Sequence, residues 1–453
     1  MEFRGEEEPA ISKPIGLGPS SNARTSQHPQ LDSAAQTAGR LPARAGKPSV
    51  LHVITRLISG GADENTILTC NGLQRMGHSC TVVAGGESSS AQMAEVDGRG
   101  VMVVDELVRE INPFLDLKAL ARLRRIIRET KPDIVHTHTA KAGVLGRLAA
   151  RLERVPIVVH GLHGTTFHAE QHPIMYRTIV AIERWMARYT TAYVSVSNDL
   201  SRLYTDHGVG RAEQYATVRS GMDLGAFRRA ARWTDARIRQ KRVELGLPSD
   251  VPVALLVSRL EHRKRVDRFI EAAGRLVREG VDARFVVAGE GRQRGELEAL
   301  AQASGLNGEF RFLGFRPDIE EVLAASSCVC LTSKWEGLPR VFVQATAVGR
   351  MIVCYDVNGA QEAIVEGRNG HIVPQDDDDL FCRRLREVLQ APRDYSRAAV
   401  RLEDDGLADW TVEAMVAQTA QAYESLMARG RLPERGLRRS APETLPVEEA
   451  GAD

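Results

Sequence analysis

Ser327-Cys-Val-Cys-Leu-Thr-Ser-Lys-Trp-Glu-Gly-Leu-Pro-Arg-Val-Phe-Val-Gln-Ala-Thr346 reads as a strand, a turn and a helix in direct succession. Ser327–Leu331 is apolar without alternation, as a strand covered on both faces is. Pro339 suits a first helical turn, so the helix starts near it. Glu336 then lies in the turn just before a helix N-terminus, and Gln344 lies further along the same helix. Both side chains accept the kind of hydrogen bond that vicinal hydroxyls of a sugar or ribose donate.

The alternation continues outward from this stretch. Toward the N-terminus the apolar runs are Phe310–Leu313, Arg284–Ala288 and Pro252–Val257, and Met351–Tyr355 follows it. The first half repeats the pattern with Val50–Thr55, Cys80–Ala84, Val101–Val104, Asp133–Thr137, Pro156–His160 and Ala192–Ser197. Amphipathic stretches intervene, marked by Leu120, Leu123 and Ile127, by Leu145, Leu148 and Leu152, and by Ile179, Ile182, Met186 and Tyr189. Strand–helix alternation repeated twice predicts an α/β fold of two doubly wound domains facing across a cleft. One spans 49–225 and the other 226–408, with ligands expected beyond the carboxyl ends of the strands. Residues 1–48 and 430–453 are polar, lack a hydrophobic period and read as disordered tails.

Composition narrows the classes. The 453 residues are 43% hydrophobic and 26% charged, and 60 Lys+Arg against 59 Asp+Glu leave a net charge of +1. That balance argues against a dedicated nucleic-acid binder. No apolar run approaches the roughly 20 residues that span a bilayer, and the acidic start is unlike a signal peptide. The six cysteines, at 70, 80, 328, 330, 354 and 382, form no Cys-x-x-Cys pair. They read as small buried hydrophobes in a reducing, cytoplasmic compartment.

Several loops at strand ends carry chemistry. In Ile58-Ser-Gly-Gly-Ala62 the pair Gly60–Gly61 lets backbone approach a ligand and present N–H groups at a helix start, as a phosphate cradle does. In Val257-Ser-Arg-Leu-Glu-His-Arg-Lys-Arg265 four cations precede a helix near Val266. Cations there oppose the helix dipole, so the placement suits an anion such as a diphosphate, with a solvated charge run as the plain alternative. Asp133-Ile-Val-His-Thr-His138 sets His136 and His138 on one face, with no third metal ligand in view. Val158-Val-His-Gly-Leu-His-Gly-Thr-Thr-Phe-His168 places His160, His163 and His168 by the cleft, where a His can hold a hydroxyl or phosphate. Ala288-Gly-Glu-Gly-Arg-Gln-Arg-Gly295 misses the dinucleotide fingerprint by one position and reads as a turn. Asp376–Asp379 reads as an acidic first helical turn, not a metal site.

On these motifs the chain resembles the retaining glycosyltransferases of family 4, which share the two-domain fold called GT-B. Glu336-Gly-Leu-Pro-Arg-Val-Phe-Val-Gln344 resembles the family's Glu-x7-Glu element. The resemblance implies that Glu336 contacts the donor sugar and that Gln344, where Glu is usual, holds the ribose. It places Arg259 and Lys264 on the diphosphate, with Gly60 and Gly61 facing it, and His163 near the reacting sugar. Arg265 departs from the Gly that commonly follows the Lys. Supporting similarities are Gly72–His78, Lys131–His136, Ser220–Asp223 and Gly359-Ala-Gln-Glu362, and Glu362 joins the expected donor set. Residues 409–429 resemble the segment that closes such folds by crossing back to the N-terminal domain.

The resulting expectation is a Rossmann-like GT-B enzyme that moves a hexose from a nucleoside diphosphate, with UDP expected, to a hydroxyl of a saccharide or lipid-linked acceptor. Catalysis falls to His163, Arg259, Lys264 and Glu336, with retention of configuration and neither metal nor other cofactor. His136, His138, His160 and His168 are the acceptor-side candidates. Arg147, Arg151 and Arg154 on one helix and Arg124, Arg125 and Arg128 on another read either as solvated faces or as a surface meeting anionic lipid headgroups. Peripheral contact with the inner face of a membrane is expected on the second reading. A non-catalytic nucleotide-sugar binder and a nucleotide-sugar isomerase stay open beside the transferase.

Overall fold

Parallel strands joined by helices build two sheets, seen in a computed structural model that describes residues 47–391 and 406–430, except 59, 99 and 169. The expected tails at 1–48 and 430–453 therefore lie, but for 47, 48 and 430, outside the described residues. The first half runs β1 (Ser49–Ile54), α1 (Gly61–Arg75), β2 (Ser79–Gly85), α2 (Ser90–Ala94), β3 (Val101–Val104), α3 (Pro113–Thr130) and β4 (Ile134–His138). It continues through α4 (Ala140–Leu152), β5 (Ile157–Leu162), α5 (Pro173–Ala187), β6 (Ala192–Ser195), α6 (Asn198–Asp206) and β7 (Tyr215–Thr217). The second half opens with α7 (Gly225–Ala231) and α8 (Asp235–Glu244), then β8 (Val253–Val257), α9 (Val266–Arg278), β9 (Arg284–Ala288), α10 (Arg294–Ala303) and β10 (Phe310–Gly314). After these come α11 (Ile319–Ala325), β11 (Cys328–Leu331), α12 (Arg340–Val348), β12 (Met351–Tyr355), α13 (Ala360–Ala363), β13 (Gly370–Val373), α14 (Asp378–Gln390) and α15 (Val412–Gly430).

The strand order is β3-β2-β1-β4-β5-β6-β7 in one sheet and β10-β9-β8-β11-β12-β13 in the other. Both are doubly wound, and each reverses winding beside its first strand, between β1 and β4 and between β8 and β11. A crevice opens at such a switch point because neighbouring connections leave to opposite faces. The registers bring Ile54 beside His138 and Cys330 beside Leu256, so the loops after all four central strands emerge together. Central strands are buried on both faces, as their unbroken Val, Ile and Leu runs require. All six cysteines are free and buried, Cys80, Cys328, Cys330 and Cys354 in strands and Cys70 and Cys382 on helices. The sequence reading omitted β7 and β13, which are short edge strands pairing on one side only. Tyr215-Ala-Thr217 and Gly370-His-Ile-Val373 hold too few apolar residues in a row to stand out from loops.

The described residues belong to one compact unit. Helix α15 lies along α1, with Met415, Val416 and Tyr423 sharing a core with Ile67, Cys70 and Leu73. Gly72 makes that contact possible, since a Cβ there would stand 2.3 Å from Val416 Cγ2. One arginine expected at the surface is not there. Arg147 is fully buried on α4, where its Nη2 donates to Glu183 Oε2 of α5 at 2.8 Å and its Nε donates to the Gly143 carbonyl at 2.7 Å. The helical face read from Arg147, Arg151 and Arg154 thus turns its first member into the core. Arg124 and Arg128 lie toward Glu153, and Arg125 pairs with Glu129, so the second group is paired with carboxylates, while Arg151 and Arg154 of the first stay exposed.

Candidate active site

The loops after the four central strands wall a cleft of about 1730 Å³ between the two sheets. From the first half, Gly60, Gly61 and Asp63 at the start of α1 face it, with His163 after β5. Asp63 is buried and accepts the Ile58 N–H at 3.1 Å, which fixes the loop ahead of the glycines. Burial pushes the Asp63 carboxyl up, against that hydrogen bond and the charges of Arg56 and Arg259.

From the second half come Arg259, Arg263 and Lys264 after β8, and Glu336, Gly337 and Gln344 after β11. Glu336 sits between two cations. Lys264 Nζ is hydrogen-bonded to Oε1, and Arg263 Nη1 donates to Oε2 at 3.2 Å. Burial pushes the Glu336 carboxyl up, but Lys264 and Arg263 outweigh it and hold the group below its ordinary range. Arg259 is half exposed and pairs with Glu261 at 3.0 Å, which also takes Arg263 Nε at 3.3 Å. Two hydrogen bonds lock this turn to the neighbouring loop, from the Lys334 N–H to the Arg263 carbonyl at 2.9 Å and from the Thr332 hydroxyl to the Lys264 carbonyl at 3.0 Å. Arg265 closes the turn at φ 47°, the left-handed region where a side chain is strained and glycine is not.

The Gly-rich stretch after β9 does more than turn. Glu290, Gly291, Arg292 and Gln293 line the cleft. Gly289, at φ +148°, would place a Cβ 1.8 Å from the Ser258 carbonyl oxygen, and Gly291 one 2.3 Å from that of Leu260. The loops after β8 and β9 therefore meet backbone to backbone, which a fingerprint search could not register. Arg263 was within the quoted cation run, but nothing in one dimension set it apart from its neighbours.

Two family models match the chain, "Glycosyl transferase 4-like domain" over residues 60–221 and "Glycosyl transferases group 1" over 237–401. The chain is 31% identical over 293 residues to the UDP-Gal:alpha-D-GlcNAc-diphosphoundecaprenol alpha-1,3-galactosyltransferase of Escherichia coli, covering 63% of this chain and 73% of that one. It is 29% identical to the alpha-D-kanosaminyltransferase of Streptomyces kanamyceticus, over 67% of this chain and 80% of the relative. The chain belongs to the group 1, family 4-like glycosyltransferases. The crystal structure of Anabaena Alr3699/HepE in complex with UDP and glucose shares its fold, with a TM-score of 0.72 at 21% identity over 83% of this chain and 100% of that one.

In this glycosyltransferase the other expected site residues are placed differently. His136, His138 and His160 are buried behind the cleft wall, not on it. They are strand residues covered by helices: His136 Nδ1 bonds Tyr423 Oη at 2.6 Å, and His160 Nδ1 bonds Thr137 Oγ1 at 2.9 Å. His168 stacks on Trp335 of the opposite half, their ring centroids 4.0 Å apart, so it bridges the halves at the edge of the cleft. Glu362 is not in the donor pocket either. Its carboxylate accepts the N–H groups of Asn198 at 2.6 Å and Asp199 at 3.2 Å, the first two of α6. The third, of Leu200, goes to Ser197 Oγ, so Glu362 completes a helix N-terminus across the cleft.

Among the described residues, one set of three ring nitrogens lies close enough to share a metal ion, on His52, His136 and His138. His52 lay in a strand and had no partner in the sequence. No carboxylate or thiolate belongs to the set, and a dication there would enter the core without a compensating charge. Burial holds all three pKa values down, so the rings are neutral and hydrogen-bonded.

Proposed function

We propose that the enzyme transfers a hexose from UDP to a hydroxyl of a diphosphate-lipid-linked saccharide, with retention and without a metal. The observation that carries this reading is Glu336 held between Arg263 and Lys264, beside Arg259 and facing Gly60–Gly61 and His163. Arg259, Lys264 and the amides at the start of α1 take the diphosphate and stabilise charge as it grows on the leaving oxygen. Glu336 accepts hydrogen bonds from the sugar hydroxyls, and Gln344 accepts them from the ribose. His163 stands at the reacting sugar. The acceptor hydroxyl attacks the anomeric carbon on the face from which the diphosphate leaves, and a diphosphate oxygen receives its proton. Closure of the two halves keeps water from competing.

The lipid-linked acceptor is supported by the first-half side of the cleft, where Ile111, Met175, Ile179 and Ile182 form an apolar wall. Phe114, Leu117 and Ile174, near Ile111 and Met175 along the chain, are 83%, 67% and 69% exposed. Asn112 caps α3 there, accepting the N–H groups of Phe114 and Leu115, so these apolar side chains are presented by a formed helix end. An exposed apolar lip joined to a polar cleft suits a molecule with a sugar head and a hydrocarbon tail. The Escherichia coli relative's name carries such an acceptor. No helix among the described residues is long and apolar enough to cross a membrane.

Thermal unfolding with UDP, GDP or ADP tests the donor. At about 100 times its dissociation constant the right nucleotide stabilises by about 2.7 kcal/mol, and Arg259→Ala abolishes that shift. Transfer from UDP-hexoses to GlcNAc-diphosphate-lipid, compared with a lipid-free saccharide, tests the acceptor. A stabilising nucleotide other than UDP, or equal use of both acceptors, would replace the corresponding half of the reading.

A further inference from the structure

Behind His163 three imidazoles form a file into the core. His163 Nε2 meets His138 Nδ1 at 2.9 Å, and His138 Nε2 meets His52 Nδ1 at 3.0 Å. His52 and His138 are buried, and His163 alone of the three lines the cleft. The two ends of the file, His163 Nδ1 and His52 Nε2, are shielded from solvent and have no hydrogen-bond partner in the protein. Burial lowers the pKa of His163 to about 4 and that of His52 to about 3, and it lowers that of His138 as well. Each ring is therefore neutral at pH 7 and carries a single N–H.

A file of neutral imidazoles has two self-consistent states. In one, every N–H points toward the core and the file ends on an unpaired N–H at His52 Nε2. In the other, His52 Nδ1–H donates to His138 Nε2, His138 Nδ1–H donates to His163 Nε2, and the file ends on an N–H at His163 Nδ1. Each state leaves one N–H without a protein partner. Both end nitrogens are shielded as the structure stands, but His163 is half-buried and lines the cleft, so a small movement of its ring brings Nδ1–H to a ligand oxygen, whereas an N–H on His52 Nε2 stays sealed in the core and pays its full desolvation cost. With a ligand in the cleft the second state is the lower in energy.

We propose that His52 and His138 are positioning residues that fix His163 in the tautomer with its proton on Nδ1, making it a hydrogen-bond donor to an oxygen of the substrate in the cleft. The sequence around β5 accommodates this file. A Cβ on Gly161 would stand 2.7 Å from His138 Nδ1 and 3.1 Å from His163 Nε2, so only glycine lets those two nitrogens meet. His136 stands beside the file, its ring centroid 4.2 Å from that of His138, and is tied to Tyr423 of α15. The proposal rests on the transferase reading for what His163 touches, but not for where its proton lies.

The test is nitrogen NMR of the full chain labelled with 15N-histidine, with His163→Gln used to assign the His163 signals. The expected spectrum shows Nδ1 of His163 proton-bearing and Nε2 bare. His138→Asn, whose amide N–H replaces Nδ1–H, keeps that pattern, while His138→Leu moves proton occupancy to Nε2. In the transfer assay His138→Leu loses about a hundredfold in kcat with donor KM unchanged, the size of effect that a misplaced catalytic group produces, and His138→Asn restores it. Gly161→Ala separates the two rings while keeping every imidazole, and should behave as His138→Leu does. A proton on His163 Nε2 in the native chain, or a pattern indifferent to both His138→Leu and Gly161→Ala, overturns the proposal. If the expected tautomers are found but no nucleotide-sugar is turned over, the proposal stands and the transferase reading of this site falls.

Discussion

Glu336 shows how much one residue decides. It is acid enough to stay ionised in a buried setting because two cations reach it, and those cations keep their places because it is charged. Glu336→Gln preserves shape but leaves Arg263 and Lys264 facing each other. The expected outcome is a loss of about 3 kcal/mol or more in urea unfolding at pH 7, together with loss of transfer. The pH dependence has a definite sign. The folded carboxyl lies below its unfolded value of about 4.3, so its contribution is complete above that value and fades as pH falls through the folded one. The Gln variant should show no such fade in that window, measured as stability against pH. The sequence placed Glu336, Lys264 and Arg259 in loops at strand ends, and the family resemblance set them at one donor site. It gave no sign that Arg263 rather than Arg265 shares the carboxylate. The difference is the left-handed backbone at Arg265, which sends that side chain to Asp267 at 2.9 Å instead.

At the scale of elements, helices α4 and α5 show where periodicity misleads. Arg147, Arg151 and Arg154 fall on one side of a helical wheel, yet only a tertiary partner decides whether that side meets solvent. Arg147 has such a partner in Glu183, whose side chain is 3% exposed. A buried pair is costly to break and cheap to replace whole. Glu183→Gln should therefore lose about 3–5 kcal/mol in urea unfolding, while Arg147→Met combined with Glu183→Leu should come close to the native value. The strands were legible where they run through the middle of a sheet, since burial on both faces leaves an unbroken apolar run. The edge strands β3 and β10 were legible too, but β7 and β13 were not, because Tyr215-Ala-Thr217 and Gly370-His-Ile-Val373 hold too few apolar residues to read as a run.

Across the whole molecule, the halves are joined by contacts that bracket the cleft. Besides the Glu362 carboxylate on α6, Asp199 Oδ2 accepts the Gly359 N–H at 3.0 Å and Ser197 Oγ donates to the Gly337 carbonyl at 3.0 Å. Arg340 reaches Glu64 at 2.6 Å, and Gly337 lies so near the His163 carbonyl that a Cβ would stand 2.2 Å from its oxygen. Glu336 and His163 are thus held on facing walls of the cleft by contacts that their own side chains do not make. Glu362→Gln combined with Asp199→Asn should weaken UDP binding by about tenfold, the equivalent of about 1.4 kcal/mol from charged hydrogen bonds, while sparing either half's core. UDP titration calorimetry beside urea unfolding separates the two effects.

By itself the sequence determined the two α/β sheets, the loops at which chemistry collects and the family, because strand burial, helix starts and glycine turns are local demands written in consecutive residues. Only the tertiary structure decided which polar residues those loops bring together. Glu362 became a helix cap, Arg147 a core cation and His52 the end of a hydrogen-bonded file, since each meets its partner across tens to hundreds of positions. Hydrogen bonds and buried charges are satisfied in space, and no period or spacing along the chain encodes the neighbour that satisfies them.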